Sequence, residues 1–223
     1  MEAITGIGEL ISALFAGDAF MLQDAMRNNP AIWPLGLIVT LVGGALVAWI
    51  YKTVPFIERN LEPAIMVIAY LAIGYIIFAG VLQRFYLNGQ PAWSTTLPPF
   101  LFLVMTWVGC SYNVRLRTHL SFAEFRKASP RAVQMGLLLL DALLWLGFAW
   151  IVVVTTTQET VRAAANFSIM LGTDNVMQWW FLITVPISFI LLAGRVIENT
   201  TEDLQRYRAG SDLIETAVIG GDT

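Results

Sequence analysis

Few side chains in this sequence could take part in chemistry, and they are too few to form a familiar catalytic or metal site. The chain of 223 residues has one histidine, His119, and one cysteine, Cys110. A zinc site needs several thiolate or imidazole ligands, bis-histidine haem ligation needs two histidines, and a general base needs a partner and a cleft. We therefore interpret His119 as a titratable surface group and Cys110 as a packing residue. We predict no enzymatic activity, no cofactor and no metal site.

One carboxylate, Asp141, stands in the middle of the apolar stretch GLLLLDALLW. A charged Asp at the centre of a membrane span costs about 2.5–3.5 kcal/mol on insertion scales, so an interaction must offset it. Two interpretations are open. Asp141 contacts a polar group of a partner or lines an ion path, or it is a protonated acid bonded to a neighbouring group. We favour a structural polar contact, because intramembrane acids usually pair inward.

The composition places these residues in a lipid bilayer. Hydrophobic side chains make up 57% of the chain and charged ones 13%, a balance that a water-soluble domain of this size could not cover with polar surface. The net charge of −3 gives no footprint for nucleic acid. Glu2 and Glu9 stand where a signal peptide carries basic residues, so we expect no cleavable signal.

Five apolar runs are long enough to cross the hydrocarbon core as helices. They cover residues 32–51, 61–83, 97–112, 132–154 and 176–194. Pro98 and Pro99 suit the first turn of a helix better than its interior, so we expect the third helix to begin beside them. The chain is thus predicted to be an all-α integral membrane protein with five transmembrane helices and short interfacial helices.

The distribution of Lys and Arg among the connecting segments predicts the orientation. Ten of the 13 lie after the first, third and fifth runs, and three lie in the alternate segments. We therefore predict that the N-terminus is outside and the C-terminus cytoplasmic. Arg115 and Arg117, within the largest basic group, are interpreted as setting this topology and meeting anionic lipid headgroups.

Three segments outside the runs have patterns of their own. Residues 1–31 place apolar side chains at helical spacing and predict an amphipathic helix on the membrane surface. Residues 121–130 combine a capping-box spacing with two phenylalanines one turn apart and predict a short helix in the inner interface. The polar tail from Arg195 is predicted to extend the last helix to about Gly210.

The sequence QRFYLNGQPAW, followed by FLVMTWVGCSYNVRLRTHLSF, resembles the small membrane subunit (DctQ type) of tripartite ATP-independent periplasmic (TRAP) transporters. That family has an Arg and an aromatic residue ending one span, then an Asn, a Trp opening the next span, a late Gly, and an Arg-rich stretch with His. The matching residues are Arg84, Phe85, Asn88, Trp93, Gly109, Arg115, Arg117 and His119. The resemblance covers about residues 58–200.

The resemblance implies a bacterial inner-membrane scaffold subunit of a sodium-coupled secondary transporter. A large permease subunit would carry the substrate and sodium sites, and a periplasmic binding protein would deliver a small organic solute, such as a carboxylate or other anion. Beside these partners, membrane lipids would surround the chain. Its segments would be an amphipathic region 1–31, an extra span 32–57, a small-permease domain 58–200 and a polar cytoplasmic tail 201–223.

The resemblance also suggests roles for single residues. Arg84 is expected to contact an acidic group on a partner, although an arginine reaching to the outer interface is an equal reading. Trp93 is interpreted as an interfacial anchor. The remaining partner-interface or structural candidates are Asp141, Gly109, Arg115, Arg117 and His119. The family usually has acidic residues after the Trp, whereas this chain has Ser94, Thr95 and Thr96.

Two other functions compete with this interpretation. A membrane anchor of a respiratory enzyme, carrying haem or quinone, would need histidines inside two facing spans. A self-sufficient small transporter or channel should show repeat symmetry, broken helices near the midplane and several buried polar groups. Asp141 and Pro186 are the features that favour the latter.

Overall fold

The structure of the protein is a computed structural model that describes residues 2–27, 29–117 and 129–213. His119 and nearly all of the predicted interfacial helix at 121–130 lie outside these ranges. The helices of the described part, numbered in chain order, are α1 Glu2–Ala16, α2 Ala19–Arg27, α3 Ile32–Thr53, α4 Pro55–Tyr86, α5 Trp93–Leu116, α6 Arg131–Ala165, α7 Trp179–Leu182 and α8 Thr184–Ala209.

Five helical segments are long and apolar enough to cross a membrane, which confirms the predicted all-α membrane fold. They are α3, α4, α5, α6 and the segment Trp179–Ala209 formed by α7 and α8. We call the end of the bundle with Arg117, Arg131 and Gly210 the basic end. The opposite end, where the connections 87–92 and 166–178 lie, is the loop end.

The predicted start of the third span was wrong. Helix α5 begins at Trp93, so Pro98 and Pro99 lie inside it rather than in its first turn. The first turn forms earlier because the hydroxyls of Ser94 and Thr95 donate to the carbonyls of Pro91 and Ala92, at 2.8 and 2.9 Å. These bonds hold the chain in a helical turn before the prolines, where the apolar run alone gave no signal.

Helix α8 lies at the centre of the bundle. In the segment formed by α7 and α8, half of the residues in the most apolar stretch are buried, against 17–22% in the other spans. The core is built around Phe189, whose ring packs against Trp107 of α5 and Phe148 of α6 with centroid separations of 5.1 and 5.5 Å. Dispersion between these rings and the neighbouring Leu192 and Val153 fixes α8 between α5 and α6.

The N-terminal span α3 packs against α8 through small residues. A Cβ atom on Gly44 would lie 3.0 Å from the Ala193 Cβ and 3.2 Å from the Gly194 amide nitrogen. A Cβ atom on Gly194 would lie 2.6 Å from a methyl carbon of Val47. The two backbones therefore approach as closely as glycine permits, and α3 is part of the core bundle.

The first 31 residues form two helices where one was predicted, because Gly17 adopts a positive φ of 68° and Asp18 then starts α2 by accepting the Phe20 amide at 2.8 Å. Both helices lie at the loop end. Leu10 is buried against Ala31, Ile32 and Val154. The N-terminal segment thus packs against the start of α3 and the side of α6.

A buried ion cluster as the candidate functional site

Charged side chains from three helices meet near the basic end of the bundle, and α3 contributes an aromatic ring. This group, which we call the ion cluster, consists of Glu58, Glu62, Arg115, Arg195 and Glu198, together with Tyr51 and Ser111. It joins α3, α4, α5 and α8. Its position follows from helical spacing, since Glu58 and Glu62 lie one turn apart on α4 and face α8 together.

The centre of the cluster is a fully buried ion pair between Arg195 of α8 and Glu62 of α4. The Arg195 Nη2 atom donates to the Glu62 Oε2 atom at 2.7 Å, and Nε donates to Oε1 at 3.1 Å. The contact is therefore bidentate, the geometry in which a guanidinium holds a carboxylate most strongly. It fixes the angle as well as the distance between the two helices.

Two hydroxyl groups complete the coordination of the Glu62 carboxylate. Ser111 of α5 donates to Oε1 at 2.8 Å, and Tyr51 of α3 donates to the same atom at 3.3 Å. The Tyr51 ring also lies 3.8 Å from the Arg195 guanidinium carbon, in a cation–π contact. Glu62 thus holds a side chain from each of the three neighbouring helices.

The remaining donors of Arg195 are used as well. Its Nη2 atom also donates to the Glu58 carbonyl at 2.7 Å, and its Nη1 atom donates to Glu198 at 2.9 Å. Glu58 turns its side chain to Arg115 of α5, with an ion pair of 2.7 Å. Buried charges are tolerated when their partners are this complete. The charged groups of the cluster are thus paired with groups of the same chain, and the arrangement is structural.

Two further arginines connect α5 and α6 to α8 at the basic end. Arg117, which ends α5 in the left-handed conformation, pairs with Asp203 of α8 at 2.7 Å. Arg131, at the start of α6, donates to the carbonyls of Arg206, Tyr207 and Ser211 at 3.0–3.1 Å. The first two carbonyls belong to the last turn of α8, and Ser211 lies just beyond the capping residue Gly210, near which the helix was predicted to end.

These contacts give Arg115 and Arg117 an internal structural role, whereas their interpretation as groups that set topology and meet lipid headgroups stays a prediction. Their guanidinium groups are directed at Glu58 and Asp203 within the chain. The reason is that intramolecular carboxylates at the same depth compete with lipid phosphates, and a preorganised pair loses less entropy on forming.

The structure does not bring the other predicted residues into this cluster. Arg84 is exposed at the loop end of α4 and makes no ion pair with a described residue. Trp93 opens α5 and is half-buried. Gly109 is buried with its Cα facing Met66 of α4, where an added Cβ would fit at 3.4 Å. Asp141 is half-buried in α6 and has an interaction of its own, so its structural role remains a prediction.

Ser94 and Thr96 have structural contacts at the loop end. Ser94 is buried and accepts a hydrogen bond from Gln90 at 3.0 Å. Thr96 donates to the Leu171 carbonyl at 2.8 Å and so fastens the connection 166–178 to α5. Within that connection, Gly172 has a φ of 78° and its Cα faces the Ala92 backbone. The hydroxyl groups of Ser94 and Thr96 therefore form hydrogen bonds within the chain.

Reasoning from the sequence missed Glu62 and Arg195. A signal was available, because Glu62 is the second residue of an otherwise apolar run and Arg195 directly follows another. Charged residues at such positions either reach water or pair with each other. Without the packing of the helices, nothing in the sequence said that these two would meet.

The described residues contain no group of three or more His, Cys, Asp or Glu side chains that could hold a metal ion. The role that the arrangement of the cluster supports is a structural one. The cluster holds four helices in one fixed arrangement by charge-assisted hydrogen bonds, and those between Arg195 and Glu62 are shielded from water.

Comparisons with known proteins agree with this picture. The family model "Tripartite ATP-independent periplasmic transporters, DctQ component" matches residues 73–206. The chain is 28% identical over 130 residues to the C4-dicarboxylate TRAP transporter small permease protein DctQ of Pseudomonas aeruginosa, covering 57% of this chain and 62% of that protein. It is 25% identical over 165 residues to the sialic acid TRAP transporter small permease protein SiaQ of Vibrio cholerae, covering 73% of this chain and 94% of that one.

The family match extends from the middle of α4 to the end of α8 and so includes Arg195, the motif around Trp93 and the α6 span. Its members are components of transporters, which excludes an enzyme and leaves the respiratory anchor without support. The chain therefore belongs to the DctQ component family of TRAP transporters.

Proposed function

We propose that this chain is the small permease subunit of a sodium-coupled TRAP transporter and serves as a rigid scaffold for a large permease subunit. The observation that carries the proposal is the ion cluster, in which Arg195 and Glu62 have their polar atoms engaged by the chain's own groups. A group that must bind and release an ion needs free ligand positions, whereas a scaffold needs rigidity. The cluster has the rigidity that a scaffold needs.

The solute of the transporter is proposed to be a small organic anion. The two relatives are named for C4-dicarboxylates and for sialic acid, both of which carry carboxylates. We propose that the substrate and sodium sites lie on the large subunit and that a periplasmic binding protein delivers the solute. The absence of acids at Ser94, Thr95 and Thr96 leaves partner contacts at this end to other groups, with Arg84 as the candidate.

Transport should require this chain. Proteoliposomes are prepared with the large permease subunit of the same transporter, with or without this chain, and receive its binding protein and labelled succinate or sialic acid. We expect uptake with an inward sodium gradient when all three proteins are present, and background uptake when this chain is omitted. Full uptake without the chain would contradict the scaffold role, and uptake independent of sodium would contradict the coupling.

The orientation proposed here, with the N-terminus periplasmic and the basic end cytoplasmic, is testable by cysteine labelling. Cys110, which is half-buried in α5, is first replaced by serine. Ala16→Cys in α1 should then react with a membrane-impermeant maleimide in spheroplasts. Asp212→Cys, beyond the end of α8, should react only after the membrane is permeabilised. The reverse pattern would invert the topology, and labelling of both in intact spheroplasts would contradict an odd number of spans.

A further inference from the structure

One face of α4 is exposed along most of the span and carries two tyrosines. Tyr70 and Tyr75 are 67% and 72% exposed. At about 100° per residue they flank a ridge that follows the helix between them. The ridge consists of Val67, Leu71, Gly74, Phe78 and Val81. The four side chains are exposed, and a Cβ atom added to Gly74 would have no other atom within 4 Å. We call these residues with the two tyrosines the α4 face.

The tyrosines of the α4 face lie deep in the span. With a rise of about 1.5 Å per residue, both are at least about 12 Å along the helix from Glu62 and at least about 13 Å from Arg84. Glu62 belongs to the ion cluster near the basic end, and Arg84 stands at the loop end. A tyrosine side chain is too short to bring its hydroxyl from this depth to the headgroups of a core about 30 Å thick.

The two hydroxyls have no hydrogen-bond partner within the part of the chain that the structure describes. A polar group facing hydrocarbon without a partner is costly, and acyl chains offer neither donors nor acceptors. Tyrosines in contact with lipid instead concentrate at the two interfaces, where the hydroxyl can reach water. The α4 face therefore has the chemistry of a surface covered by protein.

The exposed faces of two other spans differ from it. On α3, Val39, Val42 and Leu46 lie between Trp33 and Trp49, which stand at the two ends of the helix. This is the aromatic-belt pattern of a lipid-facing helix. On α6, the exposed residues at mid-span include Leu139, Leu140, Leu143 and Leu144. These aliphatic surfaces need no protein cover.

We propose that the α4 face is the surface on which a transmembrane helix of the large permease subunit packs, with hydrogen-bond acceptors placed opposite Tyr70 and Tyr75. The open position at Gly74, between the tyrosines, lets such a helix approach the α4 backbone closely. This inference rests on the proposed function, since it names the surface through which the scaffold holds its partner.

Photo-crosslinking in the assembled complex tests the surface. The chain is expressed with its large permease subunit, with the photoreactive amino acid p-benzoylphenylalanine placed at position 75 or 78 of the α4 face, or at position 42 or 143 as matched lipid-facing controls. After irradiation of membranes, we expect positions 75 and 78 to form a cross-link with the large subunit. Positions 42 and 143 should give no cross-link with protein.

The outcomes separate this inference from the function on which it rests. Co-purification of the large subunit with the unmodified chain is measured first, and its failure overturns both. If the large subunit co-purifies but cross-links only from position 42 or 143, the α4 face is the wrong surface. A cross-link from position 75 or 78 to a second copy of this chain, or to no protein, overturns the assignment in the same way.

The hydroxyls are tested by conservative variants. Tyr70→Phe combined with Tyr75→Phe keeps the shape of the surface and removes two hydrogen bonds. We expect the dissociation constant of the two subunits in detergent to rise about 10-fold. The matched control is Tyr86→Phe, which removes an exposed hydroxyl at the loop end and should leave the constant unchanged. Equal constants for all three proteins would overturn the hydrogen-bonding role.

Discussion

Replacing Arg195 with methionine should lower the free energy of unfolding by about 3–5 kcal/mol, because it leaves the buried Glu62 carboxylate without its cation. Glu62 would keep the hydroxyls of Tyr51 and Ser111 as donors but lose the bidentate contact at 2.7 and 3.1 Å. Titration of the purified protein from mild detergent into sodium dodecyl sulfate, followed by tryptophan fluorescence, measures the loss. Recovery of the complex with the large subunit should fall in parallel.

Two controls separate loss of the pair from loss of an arginine. Arg162→Met removes an exposed arginine of α6 that pairs with Glu159 at 3.5 Å, and it should change stability by less than about 0.5 kcal/mol. Adding Glu62→Leu to Arg195→Met should recover most of the lost stability, because no fully buried charge then lacks a partner and Glu198, which also loses Arg195, is partly exposed to water. If the double variant were as unstable as the single one, the cost would come from packing and not from an unpaired carboxylate.

Gly194→Ala should be the second most damaging of these changes, with a loss of about 1–3 kcal/mol from overpacking of the α3–α8 crossing. The added methyl would lie 2.6 and 2.9 Å from side-chain carbons of Val47 and 3.2 Å from the Gly44 carbonyl oxygen. Since Val47 cannot clear the site without moving α3, the two helices must separate. That movement also withdraws Tyr51 from Arg195, so the ion cluster is weakened through a change outside it.

The matched control for this crossing is Gly147→Ala in α6. A Cβ atom there meets nothing within 4 Å, so the change should be neutral or stabilise the helix by up to about 1 kcal/mol. Thermal unfolding of both variants in the same detergent makes the comparison. Equal melting temperatures for Gly194→Ala and the parent protein would mean that the crossing is looser than its geometry indicates.

Some of the local structure could be predicted from the sequence because it depends on neighbours along the chain. The five spans follow from runs of apolar residues, and the end of α8 at Gly210 follows from a glycine after a polar helix. The start of α5 was missed for an equally local reason. The side-chain hydroxyls of Ser94 and Thr95 stabilise a turn that precedes the prolines, and hydropathy does not report such bonds.

Membership in the family was also visible, since Arg84, Trp93 and Gly109 occur at the family's spacing and the family match later covered them. What those residues do could not be read in the same way. Gly109 contacts Met66, and Arg84 remains exposed. A motif identifies relatives, whereas a contact depends on which helix lies opposite.

The sequence by itself determined that this protein is a five-span membrane protein of the DctQ type, because hydropathy and motif spacing are properties of consecutive residues. Only the tertiary structure decided which charges hold it together. Arg195 and Glu62 are 133 positions apart, and Arg117 and Asp203 are 86 apart. Such partners are chosen by the packing of α8 against α4 and α5, and that packing depends on the shapes of all the helices at once.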